Sequence, residues 1–259
     1  MLRKIMKYEF LATGRLFLPA YIAVVALALF NGILQWAGGD SGLYSAFARA
    51  DNWAIATNSL LMIVYFMVVF ATAVLTTVLI IRRFYTSLFK DEGYLTNTLP
   101  VSVDKLLLGK LLPAICWSII SFIVVTISVL ILVAQWIVWQ DLLFFLDWEL
   151  MDVLSLLSIV VSLVTGILAF YSALAIGQLA KRRKILLAIG AYIGIVFAVS
   201  LISTFLFFNT NTSLIDRFIF GTDQDIINTT LISIGFSLAQ AVMHYVIARY
   251  ILKNKLNLE

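Results

Sequence analysis

Charged residues are scarce in this chain, and that scarcity decides its broad class. Of 259 residues only 12% are charged, whereas 63% are hydrophobic. A soluble domain is usually about half apolar and about a quarter charged, so too little polar surface is present to cover a water-soluble globule. The net charge of +4 does not indicate nucleic acid binding, because the basic residues stand in groups between apolar runs, a pattern that marks membrane topology.

Cysteine and histidine each occur once, as Cys116 and His244, and both lie in apolar runs. A single cysteine cannot form an intrachain disulfide, so we expect it to pack. One histidine and one cysteine cannot make a zinc-type cluster, and we expect neither a metal site nor a catalytic site. His244 is expected to make an interhelical hydrogen bond rather than to relay protons. Other polar residues of the apolar runs either bond across helices or line a pathway; they are Asn58, Gln135, Gln178 and Gln240, together with serines and threonines.

Nucleotide-binding and hydrolase motifs are also missing. The nearest approach to a phosphate-binding loop is Gly109-Lys110, but Leu111 follows it and no glycine precedes it by five positions. We therefore predict that this chain is not an enzyme and binds no cofactor of its own.

The apolar runs predict an all-α, polytopic membrane protein that forms a single transmembrane domain over residues 1–259. A membrane-spanning helix needs about 20 mainly apolar residues. Six runs are long enough, and we place the spans at about 18–36, 57–81, 113–139, 153–176, 185–208 and 227–250.

Residues 1–17 precede the first span and are predicted to form a separate interfacial helix. Apolar residues recur there at helical spacing, while Lys4, Lys7 and Arg15 fall on another side. Such a helix lies in the headgroup region with its basic side toward anionic lipid. A cleaved signal peptide is the competing interpretation, but no small-x-small cleavage site follows.

The distribution of basic residues predicts the orientation. With the N-terminus inside the cell, sixteen of the eighteen Lys and Arg residues fall on the inner side, and only Arg49 and Arg217 fall outside. The positive-inside rule therefore favours a multi-pass protein with both termini in the cytoplasm. The predicted spans carry essentially no charge away from their ends, which argues against an ion-coupled carrier or a charge-selective channel. Gly190 and Gly194 form a small-xxx-small face, which allows close helix packing within the chain or across a dimer.

The polar stretch 82–112, between the second and third spans, is longer than a simple connection requires. Gly93 permits a chain reversal, and the residue before Pro100 disfavours helix. Ser102 is a good N-cap for a new helix, and Asp104 suits its first turn. Tyr94 is an aromatic side chain beside acidic residues, as in interface hot spots. A solvated hairpin without a partner is the alternative interpretation of this stretch.

Residues 91–102 read DEGYLTNTLPVS, and LLGKLL follows at 107–112. This sequence resembles the first cytoplasmic loop of ABC-2-type transporter permeases, and the six-span layout is similar to that family over the whole chain. Asn97 departs from the family pattern, where a larger apolar residue is expected.

The resemblance implies a permease subunit in a bacterial cell membrane, which exports an amphipathic or hydrophobic cargo such as a peptide or drug. Its partners would be membrane lipid, a second permease subunit, the same or homologous, and two copies of an ATP-binding subunit that carry ATP and Mg. The ATPase would dock on the 82–112 loop, through Asp91, Glu92, Gly93, Tyr94, Leu95, Leu99 and Pro100. The alternatives are an ATP-independent channel or carrier, and a non-transporting anchor or immunity-type interaction protein.

Overall fold

The computed structural model describes residues 2–37, 52–89, 102–133, 150–180, 182–208 and 223–254. Every regular element in these ranges is an α-helix. The helices are α1 (Leu2–Ala37), α2 (Asn52–Phe89), α3 (Val103–Val133), α4 (Leu150–Gly177), α5 (Lys184–Phe208) and α6 (Asp223–Asn254).

Each helix contains a segment long and apolar enough to cross a membrane. These segments are Met6–Ile33, Ser59–Phe89, Val103–Val133, Leu150–Gly177, Lys184–Phe205 and Ile226–Asn254. In lipid, a helix is stable because it satisfies its backbone hydrogen bonds internally. For the described residues, the prediction of an all-helical, multi-pass membrane protein with six such helices is confirmed.

The structure does not support a separate interfacial helix at residues 1–17. Helix α1 runs without interruption from Leu2 to Ala37, and Pro19 lies inside it. Phe10, Thr13 and Phe17 share one face of the helix, and the two phenylalanines pack against Trp117 of α3. The apolar side that was assigned to the headgroup region is therefore partly covered by protein.

The polar stretch between α2 and α3 is also shorter than the predicted 82–112. Helix α2 continues to Phe89, and α3 begins at Val103 and runs through Pro113. The Ser102 carbonyl accepts a hydrogen bond from the Leu106 N–H at 3.2 Å, so the helix begins where Ser102 and Asp104 predicted it. The helices extend into the predicted loop because their ends bury apolar side chains such as Leu88 and Leu107. The predicted end of the third span at Trp139 lies outside the described residues.

The chain divides into two compact units. Unit 1 comprises Met1–Arg3, Ile80–Ile115 and Trp148–Glu259, and unit 2 comprises Lys4–Leu79 and Cys116–Asp147.

In unit 2, hydroxyl groups join α3 to the other two helices. The Tyr21 hydroxyl of α1 lies 2.7 Å from Ser121 Oγ, and Thr76 Oγ1 of α2 lies 3.2 Å from the same atom. Two turns further along α3, Ser128 Oγ lies 2.7 Å from the hydroxyl of Tyr65 on α2. Ser121 and Ser128 are seven residues apart and so share one face of α3. Polar bonds of this kind hold helices together where no hydrophobic driving force acts between them.

In unit 1, α4 and α6 run parallel. Thr165 Oγ1 donates to the Ser237 carbonyl at 3.0 Å, and Ser172 Oγ lies 3.1 Å from His244 Nδ1. Both pairs are 72 positions apart in sequence, and a constant separation means that the two helices point the same way.

Candidate functional site

The seven residues predicted to dock an ATPase lie outside the described residues: Asp91, Glu92, Gly93, Tyr94, Leu95, Leu99 and Pro100. The structure describes the two helix ends on either side of them, which finish at Phe89 and begin again at Ser102 and Val103. We call residues 90–101 the polar segment.

Both flanking helix ends are built into the main hydrophobic cluster of unit 1. Phe84 of α2 stacks on Tyr171 of α4, with ring centroids 3.7 Å apart and planes 8° from parallel. The Tyr171 hydroxyl donates to the Lys110 carbonyl of α3 at 3.3 Å. The cluster joins α2, α3, α4 and α6, and its buried members are Ile80, Phe84, Leu88, Leu106, Leu107, Leu111, Ala114, Ile167, Leu168, Tyr171, Ala241, Ala248 and Leu252.

The first turn of α3 is also tied to α6 by a polar contact. Arg249 places Nε 2.7 Å from Asp104 Oδ1 and Nη2 2.9 Å from Oδ2, which is the bidentate geometry that suits a guanidinium and a carboxylate. The Tyr245 hydroxyl donates to Asp104 Oδ1 at 2.8 Å. We call these three residues the Asp104 triad.

These contacts bring the ends of five helices to one end of unit 1. Tyr171 is close to the end of α4, Phe84 to the end of α2, and Lys110 and Asp104 to the start of α3. Arg249 is close to the end of α6. The start of α5 lies at the same end, since Lys184 closely approaches Gly177 at the end of α4.

This end of unit 1 is strongly basic. Among the described residues it carries nine cationic side chains and one carboxylate, Asp104, which pairs with Arg249. The cations are Arg82, Arg83, Lys105, Lys110, Arg182, Arg183, Lys184, Arg249 and Lys253. Nine of the sixteen basic residues that the sequence assigned to one side of a membrane therefore lie at one end of this unit.

His244 is buried, with 1% of its surface exposed, and its Nδ1 faces Ser172 Oγ. It makes the interhelical hydrogen bond that the sequence analysis expected. Gln178 and Gln240 are half-buried, while the side chains of Asn58 and Gln135 lie outside the described residues.

The glycine face predicted at Gly190 and Gly194 is not where two helices approach each other closely in unit 1; that contact is at Gly177. A Cβ built on Gly190 or Gly194 would meet nothing within 4 Å, and both glycines are exposed on α5. A Cβ on Gly177 would instead stand 2.6 Å from the Ala188 Cβ and 2.7 Å from the Lys184 carbonyl oxygen. Close packing of α4 and α5 thus depends on Gly177. In the sequence, Gly177 forms a second small-xxx-small pair with Ala173.

The Asp104 triad was missed at the sequence level. Asp104 was assigned only to the first turn of a helix, and Arg249 only to a basic terminus. Nothing in the sequence pairs two residues that stand 145 positions apart. The available signal was the spacing of Tyr245 and Arg249, which puts both on one face of a helix that ends near the predicted membrane surface.

Comparison with known proteins adds no relative: no protein-family model, no curated protein and no solved structure matches this chain. The fold itself defines the class, a multi-pass α-helical membrane protein.

Proposed function

We propose that this chain is the permease subunit of an ABC-2-type transporter, driven by a separate ATPase subunit that docks on the polar segment. The proposal rests on the resemblance of residues 91–102 to the first cytoplasmic loop of that family. The observation that carries it is structural: both helices leaving the polar segment enter one buried cluster with α4 and α6. A partner that displaced this segment would act on four packed helices rather than on a free loop.

The packing of unit 1 explains how a displacement of the polar segment would reach the membrane helices. Protein interiors are close-packed and transmit displacement, and the Phe84–Tyr171 stack and the Tyr171–Lys110 hydrogen bond connect α2, α3 and α4 directly. ATP binding would close two ATPase subunits against each other and move the polar segment of each permease copy. The cavity between the two copies would then open to the other side of the membrane. ATP and Mg stay on the partner subunits.

The basic end of unit 1 supports the proposed orientation. Cytoplasmic ends of membrane helices are enriched in Lys and Arg, and the helix ends that flank the polar segment lie at the same end of unit 1 as residues 182–184 and the C-terminal turn of α6. In the proposed orientation, the polar segment and both termini face the cytoplasm of a bacterial cell.

A second permease copy, the same or homologous, completes the proposed transporter. Helix α5 is the least covered of the six described helices, with 6% of its most apolar stretch buried. It exposes Gly190 and Gly194 with open space beside them, so a helix of the second copy can approach its backbone closely. The predicted spans hold hydroxyl and amide groups and essentially no charge away from their ends, which suits an amphipathic cargo.

The two rival functions make different predictions about the partner. A channel or carrier would move its cargo in proteoliposomes without nucleotide. A membrane anchor or immunity-type protein would bind its partner but move nothing, so cargo export would not depend on ATP hydrolysis.

The test is co-purification of the tagged protein from native membranes in mild detergent. We expect an ATP-hydrolysing protein to co-purify with the parent chain, and much less of it with Tyr94→Ala or Glu92→Ala, since both remove side chains of the proposed docking surface. Loss of a hot-spot side chain typically costs about 2 kcal/mol or more, about thirtyfold in affinity.

Tyr250→Ala is the matched control, because Tyr250 is 56% exposed on α6 at the same end of unit 1 and lies outside the polar segment. It should retain the ATPase. A parent chain that purifies with no ATPase, or two docking variants that bind as the parent does, would refute the proposed function.

A further inference from the structure

The Asp104 triad is a polar contact between two helices at the start of α3, close to the polar segment. Asp104 lies in the first turn of α3, directly after the segment, and α6 offers its carboxylate three donors: Arg249 Nε, Arg249 Nη2 and the Tyr245 hydroxyl. Both carboxylate oxygens are engaged, so the contact specifies the orientation of α3 relative to α6 as well as their proximity.

The triad is built for position rather than for folding stability. The side chain of Arg249 is 49% exposed and that of Asp104 38%, and ion pairs so open to solvent contribute little to stability. Each charge also suits its own helix, an aspartate at the N-terminus of α3 and an arginine near the C-terminus of α6. The planar fork of Arg249 adds direction that a lysine ammonium would lack.

Helix α6 is far from the polar segment in sequence, unlike α2 and α3, which adjoin it. Leu106 and Leu107 bury their side chains in the cluster that contains Ala248 and Leu252, but apolar contacts are non-directional and fix the relative orientation of the two helices less sharply than a hydrogen-bonded ion pair does. The triad adds a directional bond one turn nearer to the segment.

We propose that the Asp104 triad links the polar segment to α6, so that a displacement of the segment moves α6 together with α3. This inference rests on the proposed function for the source of the displacement. Asp104, Tyr245 and Arg249 act here as positioning residues. Without them, α6 follows the first turn of α3 less closely, because only the apolar packing remains.

A graded series of variants separates geometry from charge. Asp104→Asn removes the carboxylate charge, Arg249→Lys keeps the positive charge but loses the fork, and Tyr245→Phe removes one hydrogen bond. We expect the largest effect from Asp104→Asn, an intermediate effect from Arg249→Lys and the smallest from Tyr245→Phe. Lys253→Gln is the control, because it removes a cation from the last turn of the same helix without touching the triad.

The first experiment needs no partner. Spin labels are placed at Lys105→Cys, exposed in the first turn of α3, and at Ile232→Cys, exposed near the other end of α6, in a Cys116→Ser background, and their distance distribution is measured by pulsed electron paramagnetic resonance. We expect a narrow distribution in the parent and in Lys253→Gln, broadened about twofold by Asp104→Asn, because a positioning contact is lost. An equal width in Asp104→Asn would overturn the proposal.

The second experiment uses the complex purified from native membranes. A single cysteine at Val246, exposed on α6, is labelled with maleimide before and after addition of ATP and vanadate. We expect the parent complex to change its labelling rate. Asp104→Asn and Arg249→Lys should retain the ATPase but reduce that change about three- to tenfold, the range in which residues of a coupling network act.

The outcomes distinguish the two proposals. An unchanged ATP response in Asp104→Asn overturns the role of the triad and leaves the proposed function standing. Loss of the ATPase from the variants also overturns it, because the triad would then belong to the docking surface. A parent chain without any ATPase refutes the proposed function, whereas the spin-label distances still decide whether the triad positions the start of α3 relative to α6.

Discussion

At the scale of single residues, Gly177 and Gly166 of α4 show why one glycine is required and another is not. Both are helical glycines, but a Cβ on Gly177 would collide with Ala188 and with the Lys184 carbonyl, whereas a Cβ on Gly166 would meet nothing within 4 Å. The difference comes from the partner helix, since α5 folds back against α4 at Gly177. A backbone atom such as the Lys184 carbonyl oxygen cannot rotate away as a side chain can.

We therefore expect Gly177→Ala to destabilise the protein by about 1–3 kcal/mol, the usual cost of overpacking a close contact. The measurement is thermal unfolding of the purified protein in detergent, followed by size-exclusion chromatography. Gly166→Ala is the matched control and should be neutral or up to about 1 kcal/mol stabilising, because alanine is the better helix former. Equal unfolding temperatures for the two variants would contradict the packing described for Gly177.

At the scale of helices, α4 and α6 are held in parallel register by two hydrogen bonds that the sequence cannot pair. Ser172 with His244, and Thr165 with the Ser237 carbonyl, repeat the same separation along both helices. The individual residues were foreseeable as interhelical bonding groups, because polar side chains in apolar helices need partners. Their actual partners were not foreseeable, since an apolar helix offers several faces of similar hydropathy.

A double-mutant cycle tests the contact between Ser172 and His244. We expect Ser172→Ala and His244→Ala each to lower stability, with a coupling of about 0.6 kcal/mol and at most about 1.7, as for other interhelical hydrogen bonds in membranes. Thermal unfolding of the four proteins gives the coupling.

Ser162→Ala serves as the control on the same helix, because Ser162 is exposed and bonds only to the Ile159 carbonyl of α4. It should show no coupling with His244→Ala. A cycle with Ser172→Ala that also gives zero coupling would mean that the hydrogen bond makes no net contribution.

Helix boundaries show a second limit of sequence patterns. The predicted span ends were set by hydropathy, so Arg82 and Arg83 were taken to end the second span, and Pro113 to begin the third. The structure continues both helices beyond those points because Phe84, Leu88 and Leu107 bury their side chains in unit 1. Packing against other helices, which hydropathy does not measure, supports these turns.

At the scale of the whole molecule, the alternation of connections predicts which helix ends share a side of the membrane. Arg182 and Lys253 belong to the basic end of unit 1, whereas Gln224, at the start of α6, belongs to the opposite end of that helix. In intact cells, a membrane-impermeant maleimide should label a cysteine at Gln224 in a Cys116→Ser background. Cysteines at Arg182 and Lys253 should react only after permeabilisation, since translocating basic ends is unfavourable.

The reverse pattern would invert the orientation and would place the polar segment out of reach of a cytoplasmic ATPase. Labelling of Arg182→Cys and Lys253→Cys from opposite sides would contradict the topology of unit 1 itself.

The amino-acid sequence alone determined that this is a membrane protein with six predicted spans, and that most of its basic residues fall on one predicted side of the membrane. These properties are local, because a helix in lipid must satisfy its own backbone groups and each connection carries its own charges. Only the tertiary structure decided that α1 is one continuous helix, that Gly177 is the glycine of close approach, and that Asp104 pairs with Arg249. Those features depend on which distant residues meet, and contacts between residues far apart in sequence leave no periodicity for a pattern to reveal.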